Sequence, residues 1–187
     1  VTLLPTLTGA PAGVAINTST GAITVPTSTV PGVYTVGYTI CIVPAVIPAV
    51  CDSATVTITV TAAINPVLEI GSAVAGVAST PITNVRSNDT VNGAPATSIN
   101  STIALDSTGP VLPVGMTLNT TTGAINTTAA TPPGIYSVKY QLCDLNTPVN
   151  CASVTDTVTV AAAINPVLEI GSAVAGTAST PITNVRT

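Results

Sequence analysis

Residues 62–86, AAINPVLEIGSAVAGVASTPITNVR, recur at 162–186 with a single change, Val77 to Thr177. A sequence that returns to itself after roughly one hundred residues must build the same object more than once, since that spacing is too long for a solenoid unit and fits a whole small domain. The matching extends further. GVAINTSTGAI at 13–23 answers GMTLNTTTGAI at 115–125, and PGVYTVGYTIC at 31–41 answers PGIYSVKYQLC at 133–143. Cys51 answers Cys151, so the second copy has lost two residues between its cysteines, the mark of a loop that tolerates length change. Aligned in this way, residues 1–62 are expected to be the C-terminal part of one repeat, 63–162 a complete repeat, and 163–187 the N-terminal strands of the next. A longer continuous chain is preferred over completion of the loose ends by a second copy, because such donation leaves the equivalent of NDTVNGAPATSINST unfilled.

The residues themselves favour β-structure. Only 5% are charged, His, Trp and Phe are absent, and all four aromatics are tyrosines, within a background rich in Thr, Val, Ala, Pro and Gly. Tyr34, Val36, Tyr38 and Ile40 alternate with Thr35, Gly37 and Thr39, and Ala54, Val56, Ile58 and Val60 alternate with Thr55, Thr57 and Thr59. Both runs have the period of a half-buried strand. Further strands are expected at 67–70, 81–86, 96–105, 116–119 and 123–126, with no amphipathic helix anywhere. About seven short strands per repeat, punctuated by Gly, Pro, Asn and Ser, indicate an all-β fold of tandem immunoglobulin-like β-sandwich repeats of about 100 residues. Ala-Ala-Ile-Asn-Pro reads as a short linker stiffened by Pro66 and Pro166.

Parity places Cys41 with Thr39 and Cys51 with Ser53 on the polar face, able to meet across the neck of a hairpin; Cys143 and Cys151 repeat the arrangement. Of three possible pairings, repetition selects Cys41 with Cys51 and Cys143 with Cys151, outside the hydrophobic core. Reduced thiols and a zinc site made of four cysteines are the alternatives, although the close CxxC knuckles of zinc sites are missing. Disulfides imply an oxidising, extracellular setting. Asp156 stands at the inward parity where the first copy has Val56, which points to a local register irregularity.

Several function classes are excluded or disfavoured. Without histidine no Ser-His-Asp or Cys-His arrangement exists, so an enzyme is not expected, and no cofactor is implied. A net charge of −4 with only Arg86, Lys139 and Arg186 as cations argues against nucleic acid. No apolar run reaches the ~18 residues that a membrane-spanning helix needs. Calcium requires several converging oxygens, and Glu69 and Asp89 are the nearest approach to a set. Lys139 aligns with Gly37 and fails as a repeated isopeptide device. The first copy's loop, IVPAVIPAV at 42–50, is apolar where its counterpart is polar, and is expected to pack on a neighbouring repeat or to serve as an adhesive tip.

The stretch GVAINTSTGAI and its partner resemble the Gly-Leu-x-Leu-Asn-x-x-Thr-Gly-x-Ile stretch of bacterial immunoglobulin- and cadherin-like repeats. Gly134-Ile135-Tyr136 through Tyr140, Cys143, Pro148 and Cys151 to Val160, with TNVRSNDTVNGAP at 83–95, is similar to repeats of the giant cell-surface gliding adhesins of Bacteroidota, of the SprB type. That resemblance covers most of the complete repeat. It implies a secreted cell-surface filament used for attachment or gliding, with neighbouring repeats as its partners and external surfaces or glycans as its outside contacts. It also makes Ser53, Thr90, Ser107 and Thr157, each following an aspartate, candidate O-glycosylation sites; the Asn-x-Ser/Thr triplets at Asn17, Asn88, Asn100, Asn119 and Asn126 are weaker candidates. The rival reading is a repeated ligand-binding module for glycan or ice, the latter using the row Thr55, Thr57, Thr59 and Thr61.

Overall fold

The computed structural model describes residues 2–42, 50–183 and Val185, with residues 2–6 by their backbone alone. It is all-β. Among the described residues fifteen strands follow one another: β1 (Thr2–Thr8), β2 (Ala15–Ile16), β3 (Ile23–Thr24), β4 (Gly32–Cys41), β5 (Cys51–Val60), β6 (Ile64–Asn65), β7 (Ile70–Val74), β8 (Ser79–Ile82), β9 (Thr90–Val91), β10 (Ala94–Pro95), β11 (Ser101–Leu105), β12 (Met116–Leu118), β13 (Ile125–Thr127), β14 (Gly134–Asp144) and β15 (Cys151–Ala161).

In the complete repeat the order β11-β14-β15-β7 forms one sheet and β12-β13-β8 the facing one, with β10-β9-β6 as a small third sheet. All these pairings are antiparallel except β15 with β7, which is parallel. Alternation decides what each strand buries. On β14, Val138, Tyr140 and Leu142 face inward and are fully buried, and they meet Ile125 and Met116 from the opposite sheet, and Val85. Burying an aliphatic side chain of this size contributes about 1.5–3 kcal/mol, so a few of them offset the lack of Phe and Trp.

The first copy repeats the construction in part, with the sheet β1-β4-β5 and the pair β2-β3. β4 and β5 pair from Gly32↔Val60 to Cys41↔Cys51, as β14 and β15 pair from Gly134↔Val160 to Cys143↔Cys151. Two turns recur as well. Asn17 Oδ1 accepts the N–H groups of Ser19 and Thr20, and Asn119 Oδ1 those of Thr121 and Thr122. Gly21 and Gly123 close these turns at φ of 76° and 82°, a left-handed conformation that glycine adopts without penalty. Tyr34 and Tyr136 each donate their hydroxyl four residues back, to Val30 O and Pro132 O, in the manner of a tyrosine corner. The shared Asn-Thr-x-Thr-Gly and Pro-Gly-x-Tyr signatures are therefore turn chemistry.

Four expectations need correction. Asp156 lies in an unbroken ladder opposite Val138 and is fully buried, with no bulge at that point. Cys41, placed outside the core by parity, has only 8% exposure, because its strand is flanked on both sides by β1 and β5. Ala-Ala-Ile-Asn is no free linker: Ala62 is buried, its carbonyl accepts from Asn150 Nδ2 at 2.7 Å, and Ile64 and Asn65 pair with Val91 and Thr90. The opening segment forms its strand at 70–74 rather than at the expected 67–70.

The second occurrence of the opening block behaves differently. Residues 162–183, whose sequence forms three strands at 62–83, contain no strand and are exposed except for half-buried Glu169. The reason is the partner. Ile70–Val74 is held by β15, and Ser79–Ile82 by β13, both supplied by later residues of the same repeat. Among the described residues no strand pairs with 170–182.

Candidate functional site

The most elaborate side-chain arrangement in the complete repeat fastens the opening block to the rest of the sandwich. Asp156, on β15, accepts the Glu69 N–H on Oδ1 at 2.8 Å, while its Oδ2 has no hydrogen-bond partner among the described residues. Two residues earlier, the Val67 N–H donates to Asp89 Oδ1 at 2.7 Å. Two carboxylates thus grip alternate amides of the strand that is about to enter the sheet. The grip matters because an unsatisfied buried amide costs about 1–3 kcal/mol.

Asp89 is in turn tied to Tyr140, whose buried hydroxyl lies 2.8 Å from Asp89 Oδ2 and 3.0 Å from the Val85 carbonyl. Arg86, also buried, donates at 3.4 Å from Nη1 to Thr121 O and from Nη2 to Thr120 O, both in the Asn119 turn, and its Nε lacks a partner among the described residues. Ser87 Oγ contacts Glu69 Oε1. Desolvation sets the electrostatics here. Burial pushes the Asp156 carboxyl up to about 7, with Glu69 and Asp89 as like charges reinforcing it against the Glu69 amide. Burial also raises Asp89 against the Val67 and Tyr140 hydrogen bonds, raises the Tyr140 phenol, and lowers the Arg86 guanidinium.

A carboxyl that titrates near neutrality invites a catalytic reading. The geometry opposes it, because Asp156, Asp89 and Tyr140 are at most 1% exposed and no substrate atom can reach them. With both Asp89 oxygens committed to hydrogen bonds, Glu69 and Asp89 do not make an open calcium set, and no group of three or more His, Cys, Asp or Glu suited to a metal occurs among the described residues.

The remaining candidate positions lie apart from this cluster. Cys41 is joined to Cys51 at an S–S distance of 2.01 Å, and Cys143 to Cys151 at 2.11 Å, each closing the hairpin of its own repeat. Ser53 and Ser107 are exposed, Ser53 sharing a hydrogen bond with Thr39, whereas Thr90 and Thr157 are half-buried within ladders. Lys139 pairs with Asp106 at 3.2 Å and donates to Thr108 Oγ1, on the surface. The Ser153 and Thr108 hydroxyls, with the Thr108 amide and Lys139, hold the Asp106 carboxyl well below the usual carboxylate range. Beside it an open groove of ≈ 480 Å³ is lined by Leu105, Leu112, Met116 and Leu118 among others. The apolar loop falls at 43–49 outside the described residues; its two described ends, Ile42 and Val50, are exposed and joined by the Ile42 N–H to Val50 O bond. Thr55, Thr57, Thr59 and Thr61 are all exposed, but the counterpart of Thr57 in the second copy, Thr157, is half-buried and bonded to Glu69 O.

Sequence reasoning missed the Tyr140–Asp89 pair and buried Arg86. The available signal was inward parity of Tyr140, since a buried phenol demands an acceptor.

No protein-family model and no curated protein matches the chain. Among solved structures it is similar to the protocadherin gamma B2 extracellular cadherin domains 1–5, at 11% identity over 87% of this chain and 34% of that one, with a TM-score of 0.44. It is similar to the protocadherin gamma B4 extracellular domain at 14% identity over 84% of this chain and 27% of that one, with a TM-score of 0.41. For mouse cadherin-23 EC22-24 the identity is 16% over 86% of this chain and 53% of that one, with a TM-score of 0.39. The chain thus spans about half or less of these structures, and likeness at this level carries no functional conclusion.

Proposed function

We propose that this chain is a segment of an extracellular adhesive array, a stalk of rigid immunoglobulin-like beads in a giant secreted surface adhesin of the gliding type. The observation that supports it is what the two copies share. They hold in common an Asn-Gly turn, a tyrosine corner, a cystine-closed hairpin and the β4/β5-type ladder. The Asp156 and Lys139 positions carry Val56 and Gly37 in the first copy. Construction is repeated while the charged groups, buried Asp156 and surface Lys139, are not, which suits a molecule whose work lies in reach, stiffness and multiplicity. Disulfides in both copies favour an oxidising exterior. Strands of 10–11 residues, at ~3.3 Å per residue and with turns added, give an axial step on the order of 35–45 Å per repeat.

The test uses Fab fragments raised against the recurring opening block, applied to intact cells that make the protein. Surface labelling with reduced attachment or movement is the expected result. Labelling only after permeabilisation, or full attachment at saturating Fab, would overturn the reading.

A further inference from the structure

We propose that β7 and β15 form a load-bearing clamp, a parallel strand pair lengthened by the Asp156 and Asp89 carboxylates, that keeps the complete repeat closed when the chain is pulled along its axis. The inference deepens the stalk reading, since a tether carries tension, but it concerns a property of the folded repeat that holds or fails on purified protein.

Direction decides how a strand pair resists force. β7 runs parallel to β15 in the register Thr157↔Ile70 to Ala161↔Val74, so the chain enters the pair at one end, through Ile70, and leaves it at the other, through Ala161. Ala62 marks the entry side, because its carbonyl accepts from Asn150 Nδ2, just before β15 begins at Cys151. Tension between residues 62 and 161 therefore slides β7 lengthwise past β15. The evenly spaced bonds of a parallel ladder are then loaded together and must give way together. Strands drawn apart from one end surrender one bond at a time.

Both ends of the ladder are reinforced. At the exit, Ala75 N–H donates to Ala161 O at 2.8 Å. At the entry, Thr157 N–H donates to Glu69 O at 3.0 Å and Glu69 N–H donates to Asp156 Oδ1 at 2.8 Å, so residue 69 is held through both of its backbone polar groups by neighbouring residues of β15. Beyond it, Asp89 Oδ1 holds the Val67 N–H at 2.7 Å and the Tyr140 hydroxyl steadies Asp89. The carboxylates thus carry the grip past the last ladder pair. Asp156 and Asp89 are 0% and 1% exposed, so solvent does not reach them to replace a bond as it lengthens, and a buried amide left unpaired costs about 1–3 kcal/mol. β8 adds a second attachment, on β13 of the facing sheet.

The acid is not needed to build the strand. In the first copy the equivalent ladder pairs Val36 with Val56 where the complete repeat pairs Val138 with Asp156, so an apolar side chain fits this position. A carboxylate kept there, with Oδ2 unpartnered among the described residues, is costly to bury. The amide that it holds accounts for it.

The test is single-molecule pulling on the 187-residue chain, with clickable residues in place of exposed Thr61 and Ala162 as handles. The repeat should yield in one step and lengthen by on the order of 300 Å, at ~3.3–3.6 Å per residue. Reducing the Cys143–Cys151 bond, which spans a separation of 8 residues, should add about 30 Å. With handles at exposed Val77 and Ala162, which flank the same end of the pair, the first yield should come at severalfold lower force. Asp156→Val should lower the force between 61 and 162 and leave that between 77 and 162 unchanged, because peeling from the Val74 end reaches residue 69 last. Asp89→Ala should act in the same way, and the lengthening step itself shows that each variant is folded. Forced unfolding follows the unfolding rate, and a general loss of stability would lower both directions alike. Equal forces in the two directions, or an Asp156→Val chain as strong as the parent between 61 and 162, would overturn the proposal. Either result would leave the surface array standing, since Fab labelling of cells reads that separately.

Discussion

Replacing Asp156 with Asn asks whether the buried carboxyl behaves as its surroundings dictate. Asn keeps an oxygen able to accept the Glu69 N–H and discards the titration. In the folded chain the carboxyl is held at about 7 by burial and by Glu69 and Asp89, while in the unfolded chain it titrates near ~3.9. Between these values the folded state keeps a proton that the unfolded state releases, so stability must fall as pH rises and level off above about 7. A gap of about 3 units at about 1.4 kcal/mol each gives a loss on the order of 4 kcal/mol. Asp89, also raised by burial, acts with the same sign, and because its charge is one of those that hold Asp156 up, the comparison reads the titration of the pair. Urea unfolding of the Asn variant and the parent at several values from about pH 4 to 8 reads the difference directly. The parent should lose stability relative to Asp156→Asn across about pH 4–7, by up to that amount, with no further divergence above it. Parallel pH profiles, or a parent that gains on the variant with rising pH, would show that the carboxyl is solvated or paired in a way this geometry does not contain.

Tyr140→Phe keeps the ring but leaves Asp89 Oδ2 without its phenolic partner; the expected loss is about 1–3 kcal/mol, read as a lower urea midpoint with unchanged slope, and an unchanged midpoint would contradict it. Replacing Cys143 and Cys151 together with Ser opens a loop closed over a separation of 8 residues, for which the chain-entropy account predicts a loss of about 2.5–3 kcal/mol; calorimetry showing no lower Tm would count against it. Gly123→Ala places a methyl group at φ 82° against the Asn84 side chain, so the variant should be less stable by more than the ~1 kcal/mol of the left-handed conformation alone, and a smaller effect in urea titration would mean the turn relaxes.

What the sequence disclosed depended on how local the cause was. The paired strands around Tyr34–Ile40 and Ala54–Val60, and the facing of both cysteine pairs, follow from a period of two that needs no knowledge of distant residues. β6, β9 and β10, each two residues long, have no such pattern, and exist because Ile64 meets Val91 across the fold. Asp156 is opaque to local pattern for the same reason. An inward carboxylate looks like a register fault until its partner is known, and that partner is an amide 87 residues earlier. The clearest case is the opening block itself. The same residues form strands at 64–82 and none at 164–182, so local preference is insufficient and the partner strands decide. The buried cluster was legible only as isolated hints, an inward tyrosine and two acids near a junction, because its geometry arises from four separate segments.

If the chain is a repeated bead in an extended surface filament, electron microscopy of native filaments decorated with Fab against the recurring opening block tests that most directly. Fab should appear along a continuous strand rooted at the cell surface, at regular intervals on the order of 35–45 Å, one bead per repeat. Isolated compact particles, or Fab at irregular spacing, would contradict it.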